Sequence, residues 1–377
     1  MSVGEVPQDR LARAAWSGLA EPGDPVAGVL VEVLGPSEAL ALVADVAADP
    51  GAMPALPPLG SANQDRVRRS LLGWAARWQP GAARDWADWV TRLGGKLVVP
   101  GDPGWPTRLD DLGHARPMCL WAQGDDSAEL WDRTVSVVGA RAATGYGEHV
   151  TAELVAGLVD AGVTVVSGGA FGIDAVAHRA AVAAGGRTAA VLAGGLDRPY
   201  PAGNARLLSA VAASGAVVCE VPPGRHPTRH RFLLRNRVIA AAGAVTVVVE
   251  AAWRSGALST AGHAVGLLRP VAAVPGPVTS AASAGCHRLL RDGAVCVSDA
   301  AEVLELLDGT PSCAPPTGPP PGPHERMVHD ALPLRGERSV EALGRECGLA
   351  APDVLEALGS LELAGRATCR AGRWRRA

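Results

Sequence analysis

The middle of this chain predicts an α/β fold, a doubly wound and mostly parallel sheet, on three observations. Short apolar runs recur at 134–138, 163–166, 188–192, 216–219, 245–249, 271–274 and 294–297. They are rich in Val and Ala and lack the polar alternation of a half-solvated strand. Helix-length segments dominated by Ala and Leu lie between most of them, and strands alternating with helices imply right-handed crossovers with helices on both faces. The residues least suited to a core gather where the strands end, and ligands of such sheets bind outside the carboxyl ends of the strands.

The flanks differ from this middle. Residues up to about 90 read helical: Leu11–Leu19, Val26–Leu34 and Glu38–Val46 are separated by Pro22, Pro25 and Pro36, which interrupt helices. A break at Pro50, Pro54, Pro57 and Pro58 precedes two amphipathic helices, Gln64–Trp78 and Ala82–Leu93. Their tryptophans read as core or interface. Leu97–Val99 is a short strand, residues 102–106 a turn, and Met118–Trp121 a second apolar run leading into the sheet. After about Leu307 the composition turns to Pro, Gly and Thr, a semi-stiff linker. The tail holds three helix candidates, Glu325–Leu332, Ser339–Cys347 and Ala351–Ala364, then two strand-like pieces around Ala371 and Gly372. That is the element order of a winged helix. The expected division is a helical domain at 1–95, the sheet domain at 96–308, a linker at 309–323 and a winged helix at 324–377.

At 377 residues, two or three domains are expected, and a net charge of −3 gives the whole chain no case for a polyanionic partner. Local clusters must carry that case. Every basic residue except Lys96 is Arg, which forks onto phosphate and stacks on rings. The seven Cys share no C-x-x-C spacing, so reduced thiols are expected, with Cys219 and Cys296 buried in strand runs. Cys286 and His287 are adjacent and have no further ligands spaced to join them, so no metal is expected, nor any cofactor. No leader pattern and no apolar run of membrane length is present in the sequence, which predicts a soluble, cytoplasmic protein with no membrane partner.

Five stretches hold the chemistry. The centre of the chain is 163–178, a β-branched strand, the turn Ser167, Gly168, Gly169, Ala170, Phe171 and Gly172, and a helix from Ile173 to about Ala184. Glycine lets backbone N–H groups approach an anion at a helix start, so the turn reads as a phosphate cradle. Asp174 there reads as a first-turn acid and His178 as an interior histidine. The turn 138–147 sits where a dinucleotide fingerprint would lie, but Arg141 replaces its second glycine and no acid closes the next strand. An arginine there suits phosphate better than a coenzyme. The loop 192–204 offers Tyr200, to stack on a base or cover the sheet end, and Asn204, an N-cap candidate. Residues 225–237 carry five Arg and two His and no acid, with Phe232 among them. They read as a basic loop before a helix from Val238, with Arg229, Arg231, Arg235, Asn236 and Arg237 set along a single-strand groove. The last stretch, 249–261, is again strand, turn and helix. Ser255 and Gly256 add contacts at the helix start, and Glu250 is placed to pair with an arginine. No nucleophile, base and orienting group can be assembled from the spacing, so no catalytic residue is expected.

Together these stretches resemble the DprA/Smf family of DNA-processing proteins. The resemblance lies in Gly139-x-Arg141, Tyr146-Gly147, Ser167-Gly168-x-Ala170-x-Gly172-Ile173-Asp174 with Ala177-His178, and Gly195-x-Asp197 with Tyr200-Pro201 and Asn204. It continues through Glu220-x-Pro222, Phe232 with Arg235-Asn236-Arg237, Val249-Glu250-Ala251, Ser255-Gly256, Thr260-Ala261, Val274-Pro275-Gly276 and Gly285-Cys286. It covers about 97–300, and more weakly the flanks. Leu233, Ala257, Ser259 and His287 depart from the residues common in the family.

The resemblance implies an extended Rossmann-like domain, a small helical N-terminal domain of SAM or helix-hairpin type and a C-terminal winged helix. It implies a non-enzymatic homodimer that binds and protects single-stranded DNA and loads RecA onto it in DNA uptake, competence, natural transformation and recombination. Its carried-over binding positions are Arg141, the 167–172 turn and the basic run to Arg237. Two other readings stand beside it. One is a nucleotide phosphoribohydrolase on the same fold, though the glycine-rich signature of that group and its glutamate are absent. The other is a regulator that binds DNA through its winged helix.

Overall fold

The computed structural model describes residues 8–51, 53, 56, 61–309, 322–333, 337–363, 366–370 and 372–376. Pro54, Pro57, Pro58, most of the expected 309–323 linker and Ala371 lie outside the described residues. The chain divides into two compact units, Met1–Thr310 and Pro311–Ala377.

The first unit opens with helices α1 (Gln8–Leu19), α2 (Pro25–Leu34), α3 (Pro36–Ala48), α4 (Ser61–Ala75) and α5 (Ala82–Arg92). Prolines start α2 and α3 rather than merely interrupting them, since the first helical turn needs no proline N–H. Asp24 caps α2 by accepting from the Val26 amide at 2.9 Å. Trp16 and Trp74 meet edge to face at 5.0 Å in the core of this helical part.

The sheet strands are β1 (Gly95–Val98), β2 (Leu120–Gly124), β3 (Thr134–Val138), β4 (Thr164–Ser167), β5 (Thr188–Leu192), β6 (Ala216–Cys219), β7 (Val245–Val248), β8 (Val271–Ala273) and β9 (Val295–Cys296). Their spatial order is β1-β2-β6-β5-β4-β3-β7-β8-β9. The seven strands from β6 to β9 run parallel, as the sequence predicts, and β1 and β2 add an antiparallel edge beyond β6. The intervening helices are α6 (Glu129–Asp132), α7 (Gly145–Asp160), α8 (Ile173–Ala183), α9 (Ala205–Ser214), α10 (Arg229–Ala242), α11 (Ala257–Gly266), α12 (Ala284–Arg291) and α13 (Ala300–Asp308).

The central strands are apolar throughout because both faces are covered. Val135, Val137, Val165, Val245 and Val247 face one core with Leu154 and Leu158 of α7 and Ile173 of α8. Val138, Val166 and Val248 face the other, with Val238 and Ile239 of α10 and Ala261 of α11. A third cluster joins Trp121 of β2 and Cys219 of β6 to Ala14 of α1 and Val90 of α5. The helical segment is therefore seated on the antiparallel edge of the sheet. Arg10 holds it there through Asp102, at 2.6 and 2.8 Å. Cys219 is buried as expected, but Cys296 is exposed. β9 is a two-residue edge strand with solvent along it.

Past β3 the chain lays down β4, β5 and β6 in one direction, then returns to place β7 on the other side of β3. The strand order reverses between β3 and β7, which opens a crevice at their carboxyl ends.

The second unit comprises α14 (Pro323–Ala331), β10 (Arg338–Ser339), α15 (Val340–Cys347), α16 (Ala351–Leu363), β11 (Ala367–Arg370) and β12 (Arg373–Arg376). Its sheet order is β10-β12-β11, all antiparallel, over a core that includes Val328, Leu343, Leu358 and Trp374. This is the winged-helix arrangement the tail predicts, with β10 added before the second helix.

Candidate nucleic-acid interface

A cleft of about 920 Å³ lies at the reversal point. Its walls come from the turn after β3, the turn after β7 and one face of α10.

The turn after β4 supports this cleft and reaches its lining at Ala170. Gly172 has φ +76°, and a Cβ there would overlap the Ala140 carbonyl, so only glycine fits. A Cβ on Gly168 would strike the Arg235 guanidinium. The Ser167 hydroxyl is fully buried and donates to the Val137 carbonyl at 2.7 Å. Asp174 stands in the first turn of α8, within reach of the glycine turn. It accepts from the Ala170 amide at 3.4 Å. Burial raises its pKa, while Arg235 and the Ala170 and Gly168 amides favour its charged form. Of the turn's expected phosphate donors, the Ser167 hydroxyl is thus engaged by the Val137 carbonyl and the Ala170 amide by Asp174. The exposed part of this turn is Phe171, with 52% of its surface open.

A second internal carboxylate occupies the start of α7. Glu250, 1% exposed, accepts from the Thr144 amide at 2.9 Å and from its hydroxyl at 2.6 Å. It does not pair with an arginine, as the sequence had suggested, because that helix start already supplies its donors.

The basic run 229–237 is helix rather than loop. Thr228 caps α10 by accepting from the Arg231 amide at 3.2 Å. Successive residues are then turned by about 100°, so the arginines part company. Arg229, Phe232, Leu233, Arg235, Asn236 and Ile239 face the cleft. Arg231 turns away and forks onto Glu21 at 3.0 and 2.8 Å. Arg237 is buried and pairs with Glu220. Neither lines the cleft, which corrects the expectation that both would meet a strand there. Arg235 is 6% exposed and donates to the carbonyls of Gly168 and Val191. Burial lowers its pKa to about 10, even with Asp174 beside it. It touches the cleft floor but serves as a structural cation. Asn236 donates to the Gly256 carbonyl at 3.2 Å and ties α10 to the turn after β7. Asn204 is buried and caps no helix with its side chain. It donates instead to the Gly169 and Ala170 carbonyls, at 3.0 and 3.1 Å, and braces the glycine turn.

What remains open is a compact set. The Arg141 guanidinium lies 4.7 Å from the centroid of the Phe232 ring. Tyr200, half exposed, meets the same ring at 5.7 Å and 56°. Arg229, Arg254, Ser255, Gly256, Ser259 and Thr260 complete the wall. Asp174 is the one acidic residue of the lining, and it is buried and compensated by Arg235. With Arg235 set against Asp174, Arg141, Arg229 and Arg254 leave the concave surface with positive potential. Sequence reasoning passed over Arg254, although it directly precedes the Ser255-Gly256 pair already singled out. Among the described residues no group of three or more His, Cys, Asp or Glu is placed to hold a metal ion.

Residues 96–308 match the family model for DNA recombination-mediator protein A, and 312–373 match that for the DprA winged helix domain. A putative DNA processing protein DprA of Mycobacterium tuberculosis is 47% identical over 338 residues, 82% of this chain and 86% of that protein. Protein Smf of Escherichia coli is 37% identical over 260 residues, 66% of this chain and 69% of its own length. Among solved structures, DNA processing protein A of Streptococcus pneumoniae superposes with a TM-score of 0.63 at 28% identity, covering 80% of this chain and 98% of that one. The Helicobacter pylori protein, whose structure concerns its binding of single-stranded DNA, gives 0.52 at 27% identity over 57% of this chain and 96% of its own. With the sheet domain and the tail each matched by the family's own model, and a relative nearly half identical over most of both chains, this chain belongs to the DprA/Smf family of DNA-processing proteins.

Proposed function

We propose that this protein binds single-stranded DNA in the cleft between β3 and β7, without catalysing a reaction on it. The observation that carries this is the Arg141–Phe232–Tyr200 ladder, a guanidinium and two rings in contact at the mouth of a basic cleft. Single strands are held by charge along the backbone and by rings under the bases, with little regard to sequence. Phosphates meet Arg141, Arg229 and Arg254, with Ser255 and the Gly256 amide beside them. Phe232, Tyr200 and Phe171 take bases. The binding role is assigned to the domain at 96–308; the helical segment at 1–95 shares its compact unit, and the linker at 309–323 and the winged helix at 324–377 are assigned as a separate module. By family resemblance the protein is a homodimer that protects the strand and loads RecA during natural transformation and recombination. Val265 and Leu268, at the end of α11, are exposed and offer apolar surface for self-association.

An enzymatic reading needs a carboxylate free to act. Asp174 and Glu250, the acids nearest the cleft, are both committed to internal donors, which favours binding over a phosphoribohydrolase.

The test is fluorescence anisotropy with labelled single- and double-stranded oligonucleotides at two salt concentrations. The single strand is expected to bind more tightly, and affinity to fall as salt rises. Arg141→Ala is expected to weaken binding by about 1–3 kcal/mol, the range for a lost charge-assisted hydrogen bond. It should also reduce the slope of log K against log salt by about 0.7, one phosphate contact on a single strand. An affinity and slope equal to the unaltered protein's would remove Arg141 from the site.

The winged helix is expected to add little to this binding. The exposed face of α16, the helix that such domains lay in the major groove, carries Leu355, Glu356, Glu362 and Leu363 and no basic residue. A chain ending at 310 should therefore bind the single strand within about twofold of the full chain by anisotropy, a difference well under 1 kcal/mol. A tenfold loss would shift the interface to the tail.

A further inference from the structure

We infer that Trp253 is a second base-stacking platform, continuing the strand's path out of the cleft over the end of β7. This deepens the proposed binding of single-stranded DNA and depends on it. Trp253 sits in the turn after β7, next to Arg254, Ser255 and Gly256, which line the cleft. More than half of its side chain, 53%, is open to solvent, whereas Trp16, Trp74, Trp105, Trp121 and Trp131 are buried. The Arg288 guanidinium lies 5.6 Å from the ring centroid. Arg288 also faces Asp292 at 3.5 Å on an exposed stretch of α12. A large ring left in water between Arg254 and a stacked guanidinium buries little of its own apolar surface. A nucleobase on it would bury that surface while the arginines meet the flanking phosphates.

The position fits a track. In the spatial order β5-β4-β3-β7, the turn after each successive strand presents at least one stacking or cationic side chain at the surface. These are Tyr200, Phe171, Arg141 and Trp253. Three interstrand steps of about 4.8 Å give a path of roughly 14 Å across the strand ends. Trp253 closes that path on the side opposite Tyr200, so the bound strand crosses the sheet rather than ending in the cleft.

The experiment uses the full chain and a twenty-nucleotide oligo-dT, followed by anisotropy and by tryptophan emission. Binding should quench part of the emission of the unaltered protein. Trp253→Phe should bind within about twofold and lose most of that quench, since a ring is kept. Trp253→Ala should bind about tenfold more weakly, within the range for one lost base stack. Its salt slope should be unchanged, because a stack releases no counterions, and its melting curve should match the unaltered protein's because the side chain is exposed. Equal affinity of Trp253→Ala, or emission of the unaltered protein that ignores bound oligonucleotide, would overturn the platform and leave the cleft reading intact. No binding by the unaltered chain would overturn the cleft reading, and the platform with it.

Discussion

Arg235→Ala is expected to destabilise the α/β unit by about 3–5 kcal/mol, as when one partner of a buried charge pair is removed. The guanidinium is nearly inaccessible, and Asp174 beside it is buried as well. Removing the cation leaves that carboxylate without its compensating charge and the Gly168 and Val191 carbonyls without their donor. Gly168, whose missing side chain makes room for Arg235, would then border a void. Thermal melting should fall by roughly 10 °C for a unit of this size. Arg141→Ala, which removes an exposed side chain, should leave the melt in place and change only DNA affinity. Replacing both together, Arg235→Met with Asp174→Leu, should recover part of the loss, because neither buried charge is then left without the other. An Arg235→Ala protein that melts like the unaltered one but binds DNA poorly would reverse the assignment and make Arg235 a ligand of the strand.

The difference between Arg141 and Arg235 marks where the sequence stops being informative. The sheet was legible because parallel strands covered on both faces are apolar without interruption, and the runs at 134–138 and 245–249 could be little else. The turn at 167–172 was legible as a turn, since Gly172 has to approach the Ala140 carbonyl. Its occupant was harder to read. Asp174 stands two residues beyond the last glycine, and a first-turn acid and a phosphate compete for the same amides. Helix α10 escaped because its buried face carries Arg235 and Arg237 in place of apolar residues, which erases the period that betrays a helix. The capping Thr228 was the one local signal available. Glu21, which takes Arg231 out of the cleft, lies 210 residues away in sequence, and no local pattern reports such a partner. Ionic contacts between distant segments depend on the fold, so whether a clustered arginine is free or already paired appears only in three dimensions.

Acidification should destabilise the protein through His178, by about 2 kcal/mol between pH 7 and pH 5 and about 3 kcal/mol by pH 4. His178 is fully buried on α8. The Thr188 hydroxyl donates to the Val165 carbonyl at 2.7 Å, so it can only accept from His178 Nδ1, also at 2.7 Å. The ring is thus the neutral Nδ1–H tautomer. Its Nε2 is buried without a partner among the described residues. Burial, with a smaller contribution from the Arg235 charge, holds its pKa down to about 3 against 6.5 in the unfolded chain. Between those values the unfolded state binds a proton that the folded state refuses, so stability rises with pH there and is lost as pH falls. Asp174 and Glu220 act in the opposite sense, since burial raises their pKa values and acid favours their folded forms. The diagnostic measurement is therefore a difference. Denaturant midpoints of the unaltered protein and His178→Leu are compared at pH 7, 6, 5 and 4. The variant loses the bond to Thr188 and starts less stable, but its curve should be flatter, by roughly 1 kcal/mol per pH unit between pH 6 and pH 4. Parallel curves would mean that His178 takes up its proton in the folded protein. The buried cation Arg235, whose charge already helps to hold His178 neutral, would then have to tolerate a second positive charge, and the electrostatic account of the glycine turn would fail along with it.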